Sequence, residues 1–215
     1  MRRGFGLALL VVLIFVAWLF SRFGEDRQQA RLSGQETDAG ARLPDEVAGC
    51  LRTGDIILRE SPGWVSGSIV AVLKEPRPFS HVGMLVREGD GWQVIHSISG
   101  RISSIDGLRM EPLPVFLKDA LPGQVLISRL KWGDPDKMTA AAKDFLARKI
   151  PFDGFFDLTD TSAFYCSEFV YEVLKRSGTA LWAPDTLPNG RPFLGFRRYY
   201  DEQFTELIYD AKAGY

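Results

Sequence analysis

The chain holds only two cysteines, Cys50 and Cys166, and two histidines, His81 and His96, so thiol or imidazole chemistry must come from these four residues. Cys166 leads a run in which Phe169, Val170, Val173, Leu174 and Ser177 recur at helical spacing, which predicts an amphipathic helix over Tyr165–Ser177 with the thiol at its start. There the unpaired amide N–H groups and the helix dipole favour a thiolate, and predict a pKa below the ordinary value of about 8.5. A neighbouring imidazole would lower it further and carry the proton, as for an activated cysteine nucleophile. The competing reading makes Cys166 a small core residue, because it also leads the apolar stripe. Cys50 lies between a polar segment and the first predicted strand and has no comparable setting.

The two histidines fall in one predicted hairpin. Ser80–Glu88 (SHVGMLVRE) and Trp92–Ile98 (WQVIHSI) are β-rich runs around Glu88-Gly89-Asp90-Gly91, a strong turn signal. Alternation places His81, Gly83 and Leu85 on one face, and Val94, His96 and Ile98 on one face of the partner strand. If Val86 faces Gly91, His81 lies directly opposite His96, with Cβ atoms about 4.5–5.5 Å apart. If Arg87 faces Trp92, the two are diagonal neighbours on the same face, about 7–8 Å apart. A loop of odd length would separate them onto opposite faces. The competing reading is two independent strand residues, each satisfied by one hydrogen bond.

Zinc is the other chemistry open to cysteine and histidine, but the chain has no CxxC and no HxxxH, so neither a metal site nor a cofactor is expected. Asp153, Asp157 and Asp160 (PFDGFFDLTD) read as a loop before the Cys166 helix. Around these residues the pattern predicts strands at Gly54–Arg59, Arg101–Ile105 and Gln124–Lys131 and helices at Trp64–Lys74 and Asp134–Lys149. Ala183–Phe193 is a Pro/Gly loop, and there is no internal repeat. Strands and helices mix without regular βαβ alternation, which predicts an α+β fold.

The 215 residues are 46% hydrophobic and 25% charged with a net charge of −1, an ordinary globular balance that excludes wholesale disorder and gives no basic surplus for nucleic acid. Gly4–Phe20 is uncharged and almost wholly apolar; as a helix it would be about 25 Å long, at the lower edge of a membrane span. Arg2 and Arg3 precede it, which predicts a cytoplasmic N-terminus and an extracytoplasmic remainder. Residues 1–23 are therefore expected to be a membrane anchor or signal segment, residues 24–45 a polar linker, and residues 46–215 the catalytic domain. The chain beyond residue 30 has a slight acidic excess, so its attachment to a membrane would rest on the anchor.

The order GDIIL (Gly54–Leu58), SHVGMLV (Ser80–Val86), a strand bearing His96, FDGFFD (Phe152–Asp157) and YCSEFVYEVL (Tyr165–Leu174) resembles the permuted papain-like amidases of the NlpC-type superfamily. That superfamily also contains the lecithin:retinol acyltransferase-like enzymes. The likeness covers about residues 50–178. Ordinary papain-like chains place the nucleophile before the histidine, whereas here both histidines precede Cys166. The resemblance implies a circularly permuted papain-like core, an antiparallel sheet packed on helices, with Cys166 as nucleophile. It implies His81 as base and then acid, and His96 as the third polar residue that orients His81. Some bacterial members carry an acidic residue where this chain has His96. A neutral imidazole fixes a tautomer but does not stabilise an imidazolium as a carboxylate does. YCSEF also differs from the NCEHF pattern of the acyltransferases, which places the chain nearer the bacterial amidases.

The expected function is an extracytoplasmic cysteine hydrolase, anchored in the inner membrane, that cleaves an amide or ester bond in a cell-wall peptide (peptidoglycan) or an acyl lipid. N–H groups at the helix start, at Tyr165 and Cys166, would hold the oxyanion. An acyltransferase using the same site, or a binding module without turnover, are the alternatives.

Overall fold

The computed structural model describes residues 42–62, 64–100, 106–179, 182–187 and 190–213. In chain order these residues form α1 (Asp45–Cys50), β1 (Ile56–Arg59), α2 (Trp64–Leu73), β2 (His81–Glu88), β3 (Gly91–Ile98), β4 (Gly107–Pro112), α3 (Leu113–Lys118) and β5 (Val125–Leu130). They continue with α4 (Pro135–Ala147), α5 (Cys166–Arg176), the short strands β6 (Asp185–Thr186) and β7 (Pro192–Phe193), a 3₁₀ turn at Arg197–Tyr199, and β8 (Thr205–Asp210). Six strands make one sheet in the order β4-β3-β2-β1-β5-β8, and every neighbouring pair in it is antiparallel. The fold is α+β, as the mixed pattern predicts.

Both faces of the sheet are covered. On one, Ile56, Leu58, Val82, Met84, Val86 and Ile95 pack with Met138, Ala142 and Phe145 of α4 and Phe169, Val170, Val173 and Leu174 of α5. On the other, Ile57, Leu85, Val94 and Ile127 pack with Val47 of α1 and Phe116 and Leu117 of α3. The strand period of two sorts these residues between the faces. Because each face has its own core, all four residues of β1 are buried.

Two helices carry their termini in the sequence. Asp134 caps α4 by accepting the N–H groups of Asp136 and Lys137 at 3.1 and 3.2 Å, with Pro135 in the first turn. Gly178, at φ +78°, closes α5. Several elements lie outside the expected pattern: α1, α3, β4, the edge strand β8, and the short pair β6–β7 within the stretch expected to be a loop. α1 and α3 have six residues each, too short for a helical period to stand out, and their packing on the sheet holds them. β4 lies beyond the strand expected at Arg101–Ile105, a segment outside the described residues. The expected anchor at 1–23 and the linker up to residue 41 also lie outside them; among the described residues no helix is long and apolar enough to cross a membrane.

The β2–β3 register decides where the histidines stand. Arg87 pairs with Trp92 and Glu88 with Gly91, across a tight turn in which Gly89 takes φ +55°. This is the diagonal arrangement, with the pairing recorded between Met84–Glu88 and Gly91–Ile95. Gly83 follows His81 by two residues on β2, facing the β3 residues around His96. A Cβ there would stand 2.5 Å from Val94 Cγ1 and 3.1 Å from both His96 Cβ and Ile95 O. Only a residue without a side chain lets the neighbouring strand come this near. Gly83→Ala is therefore expected to destabilise the protein by about 1–3 kcal/mol, the usual cost of overpacking. Urea unfolding measures this, and unchanged stability would refute the close approach.

Candidate active site

His81 opens β2, and His96 stands two residues from the end of β3. Their rings meet edge to face, with centroids 4.9 Å apart and planes at 83°, and His81 Nε2 is 2.7 Å from His96 Nδ1. Both side chains are buried. The hydrogen bond spans the diagonal and occupies His81 Nε2, so Nδ1 is the ring nitrogen it does not engage. Phe116 of α3 supports both rings, stacked on His81 at 5.7 Å and edge-on to His96 at 5.2 Å.

Cys166 is the first residue of α5 and is 7% exposed. Its sulfur faces the backbone N–H groups of Val82, Ser167 and Cys166 itself. Val82 directly follows His81, so the thiol is held against the strand end that carries the imidazole. Two bonds fix this approach. Ser97 Oγ, next to His96, donates to Phe164 O at 2.6 Å, and Phe164 N donates to Pro151 O at 3.0 Å. Tyr165 contributes differently from the expectation. Its N–H goes to Glu168 Oε2 at 3.3 Å, and its hydroxyl accepts the Leu194 N–H at 2.9 Å. The N–H groups that face the sulfur therefore come from Val82, Cys166 and Ser167.

The electrostatics correct one expectation. Burial pushes the Cys166 thiol up to about 11, against the opposite pull of the Val82, Ser167 and Cys166 N–H groups and of the Arg59 charge. Loss of hydration for the thiolate outweighs the helix start. Burial also holds His81 and His96 well below the ordinary histidine range, helped by the positive charges of Arg59 and Arg109. The resting pair is a neutral thiol and a neutral imidazole.

Three further residues belong to the site, and sequence reasoning missed all of them. Arg59 is the cross-strand partner of His81 and is 2% exposed. Its guanidinium lies 4.1 Å over the Phe116 ring, donates to the Phe116 carbonyl and approaches Asp119 Oδ2 at 3.6 Å. Burial lowers its pKa to about 10, so it remains a cation at neutral pH. Arg109 stands directly opposite His96 on β4 and donates from Nε to His96 Nε2 at 3.1 Å. Glu111 Oε1 lies 3.0 Å from the same nitrogen. The alternation of Leu108 and Met110 with Arg109 and Glu111 was the available signal, a period of two with both charges on one side.

The other candidates are structural. Asp153, Asp157 and Asp160 accept nearby backbone N–H groups, from Phe155 and Asp157, from Thr159, and from Ser162 respectively, as Asx turns do. Cys50 is exposed at the end of α1. Asp55 of the Gly-Asp pair is buried against Arg129, with Oδ1 2.7 Å from Nε.

Residues 50–189 match the model of a family described as permuted papain-like amidase enzyme, YaeF/YiiX, C92. The chain is similar in three dimensions to the crystal structure of the metalloprotein YiiX from Escherichia coli O157:H7. The TM-score is 0.62 and the identity 19%, over 74% of this chain and 97% of that one. At that identity the likeness is one of fold. No curated protein matches the chain.

A neutral buried thiol has a readable signature. With Cys50→Ser removing the exposed thiol, iodoacetamide should alkylate Cys166 slowly at pH 7. The rate should rise about tenfold per pH unit toward the thiol pKa of about 11. A rate that reaches its plateau below pH 7 would show a preformed thiolate and overturn this assignment.

Proposed function

From the premise that the chain belongs to the permuted papain-like amidase family, we propose a cysteine hydrolase that opens an amide or ester bond through an acyl-enzyme on Cys166. One observation carries the residue assignment: the 2.7 Å bond from His81 Nε2 to His96 Nδ1. It leaves His81 Nδ1, on the strand end against which the thiol is held, outside that contact and able to act as base when its proton sits on Nε2.

In this reading the thiol loses its proton as it attacks. The S–H bond breaks, the proton passes to His81 Nδ1, and sulfur bonds to the substrate carbonyl carbon. N–H groups at the start of α5, those of Cys166 and Ser167, face the place where negative charge develops. His81 then gives its proton to the departing amine or alcohol, leaving a thioester on Cys166. Water, deprotonated by His81, releases the acid and restores the thiol. An acceptor alcohol or amine in place of water would make the same site a transferase. YiiX is described as a metalloprotein. Here, among the described residues, no group of three or more His, Cys, Asp or Glu gathers where it could hold a metal ion.

The apolar run at Gly4–Phe20 behind Arg2 and Arg3 supports a single-pass inner-membrane protein with its catalytic domain in the periplasm. From such a tether, both the peptides of the cell wall and acyl lipids are within reach. Full-length protein should therefore sediment with membranes and resist a high-salt wash, whereas a chain beginning at residue 24 should be released. Equal release of both would remove the anchor from this proposal.

The chemistry is tested by intact-mass trapping with a panel of activated amides and esters. The expected result is a single acyl adduct lost in Cys166→Ala and retained in Cys50→Ser. Turnover should fall by at least about 10²-fold in His81→Asn. The acyl groups retained would identify the substrate class. Turnover that survives Cys166→Ala, or an adduct only on Cys50, would sink the proposal.

A further inference from the structure

His96 Nε2 has two partners that make opposite demands on it. Arg109 Nε, 3.1 Å away, donates to it and so requires a bare nitrogen. Glu111 Oε1, 3.0 Å away, can only accept and so requires an N–H there. The two rivals are themselves bound together, Arg109 Nη2 to Glu111 Oε2 at 2.8 Å. Glu111 is 8% exposed, and its Oε1 is buried without an aligned hydrogen bond. A buried carboxylate oxygen left in that state is costly unless a donor turns to it.

A neutral imidazole carries one proton, so the choice made at His96 Nε2 propagates through both rings. If Arg109 donates, the His96 proton sits on Nδ1 and is given to His81 Nε2. The His81 proton must then lie on Nδ1, where it blocks acceptance of the thiol proton. If Glu111 accepts, the His96 proton sits on Nε2 and its Nδ1 accepts from His81 Nε2–H. His81 Nδ1 is then bare and able to act as base. The diagonal contact thus makes a two-ring wire whose direction is set at its far end.

We propose that Glu111 is a positioning residue that sets this direction, holding the His96 proton on Nε2 and so freeing His81 Nδ1 to receive the thiol proton. This inference rests on the Cys166–His81 reading above and adds a fourth member to it. During attack the thiol proton moves to His81 Nδ1, while the Nε2 protons of His81 and His96 remain in their hydrogen bonds to His96 Nδ1 and Glu111. His81 becomes an imidazolium, and the carboxylate one ring away stabilises it. The negative charge that His96 itself cannot offer is supplied from β4. Arg109 holds the other oxygen of that carboxylate, and its donation to His96 Nε2 is the competing, unproductive direction that Glu111 must outweigh.

The test has a structural arm and a kinetic arm, both on the full chain. In Cys166→Ala protein, nitrogen-15 NMR of the imidazoles should show His81 protonated on Nε2, and adding Glu111→Leu should move that proton to Nδ1. In otherwise unmodified protein, Glu111→Leu should lower kcat by about 10²-fold or more with KM nearly unchanged. Glu111→Gln, nearly isosteric and still able to accept from His96, should retain the Nε2–H tautomer of His81 and recover part of kcat. A merely structural Glu111 would not move the tautomer. An unchanged tautomer in Glu111→Leu, or full kcat in both Glu111 variants, would overturn the inference. Should Glu111→Leu fail to fold, Glu111→Gln decides alone. A Cys166→Ala or His81→Asn enzyme that still turns over would instead refute the underlying hydrolase reading.

Discussion

One close contact organises this molecule: two imidazoles with nitrogens 2.7 Å apart in a region buried on every side. A buried neutral imidazole has one donor and one acceptor, and each must find a partner within the protein. The diagonal contact satisfies one nitrogen of each ring. Its geometry depends on the strand register, on the bare backbone at Gly83, and on Phe116 beneath both rings. The second nitrogen of His96 is met by Arg109 and Glu111 of β4, and the diagonal contact does not engage the second nitrogen of His81. The sheet arrangement follows the same logic. β2 and β3 carry the pair near the middle of six strands, and a core on each side holds them in place.

Charge near the pair is arranged with equal economy. Arg59, fully enclosed and facing His81 across the strand, is a cation that water does not shield. It disfavours a second positive charge on either imidazole and favours negative charge on the sulfur. Desolvation of the sulfur is nevertheless the larger effect, so the thiol keeps its proton at rest. Under the proposed mechanism the thiol then resembles a serine hydroxyl more than a preformed thiolate, and its reactivity would depend on a base with the right nitrogen free.

The sequence shows clearly what depends on local periodicity. Alternation puts His81 and His96 on one face if the turn has an even number of residues, and the helical stripe from Phe169 to Leu174 puts Cys166 at the start of its helix. Whether the histidines are opposed, diagonal or on opposite faces depends on which residues close the turn at Gly89-Asp90, which periodicity does not decide. The ionisation of Cys166 differs from the expectation for another reason. A helix start is visible in sequence, but the depth at which it is buried comes from the packing of α5 on the sheet. Arg59, Arg109 and Glu111 escaped because their importance lies in what they touch. Arg59 sits at the end of an ordinary apolar strand, and the β4 residues follow a segment whose pattern did not extend to them. The short helices α1 and α3 exist through contacts with the sheet, and α3 supplies the Phe116 that supports both rings.

The buried histidines also couple this centre to the acidity of its surroundings. Both are held neutral in the folded protein, with pKa values well below 6.5, while an unfolded chain would bind protons at that ordinary value. Their contribution to folding is fully present above pH 6.5 and is lost as the pH falls toward their folded pKa values. Acid would therefore loosen the fold from the histidine pair, where protonation would place two new cations beside Arg59 and Arg109. The same dry packing that keeps an imidazole ready to accept a proton gives the protein an acid limit.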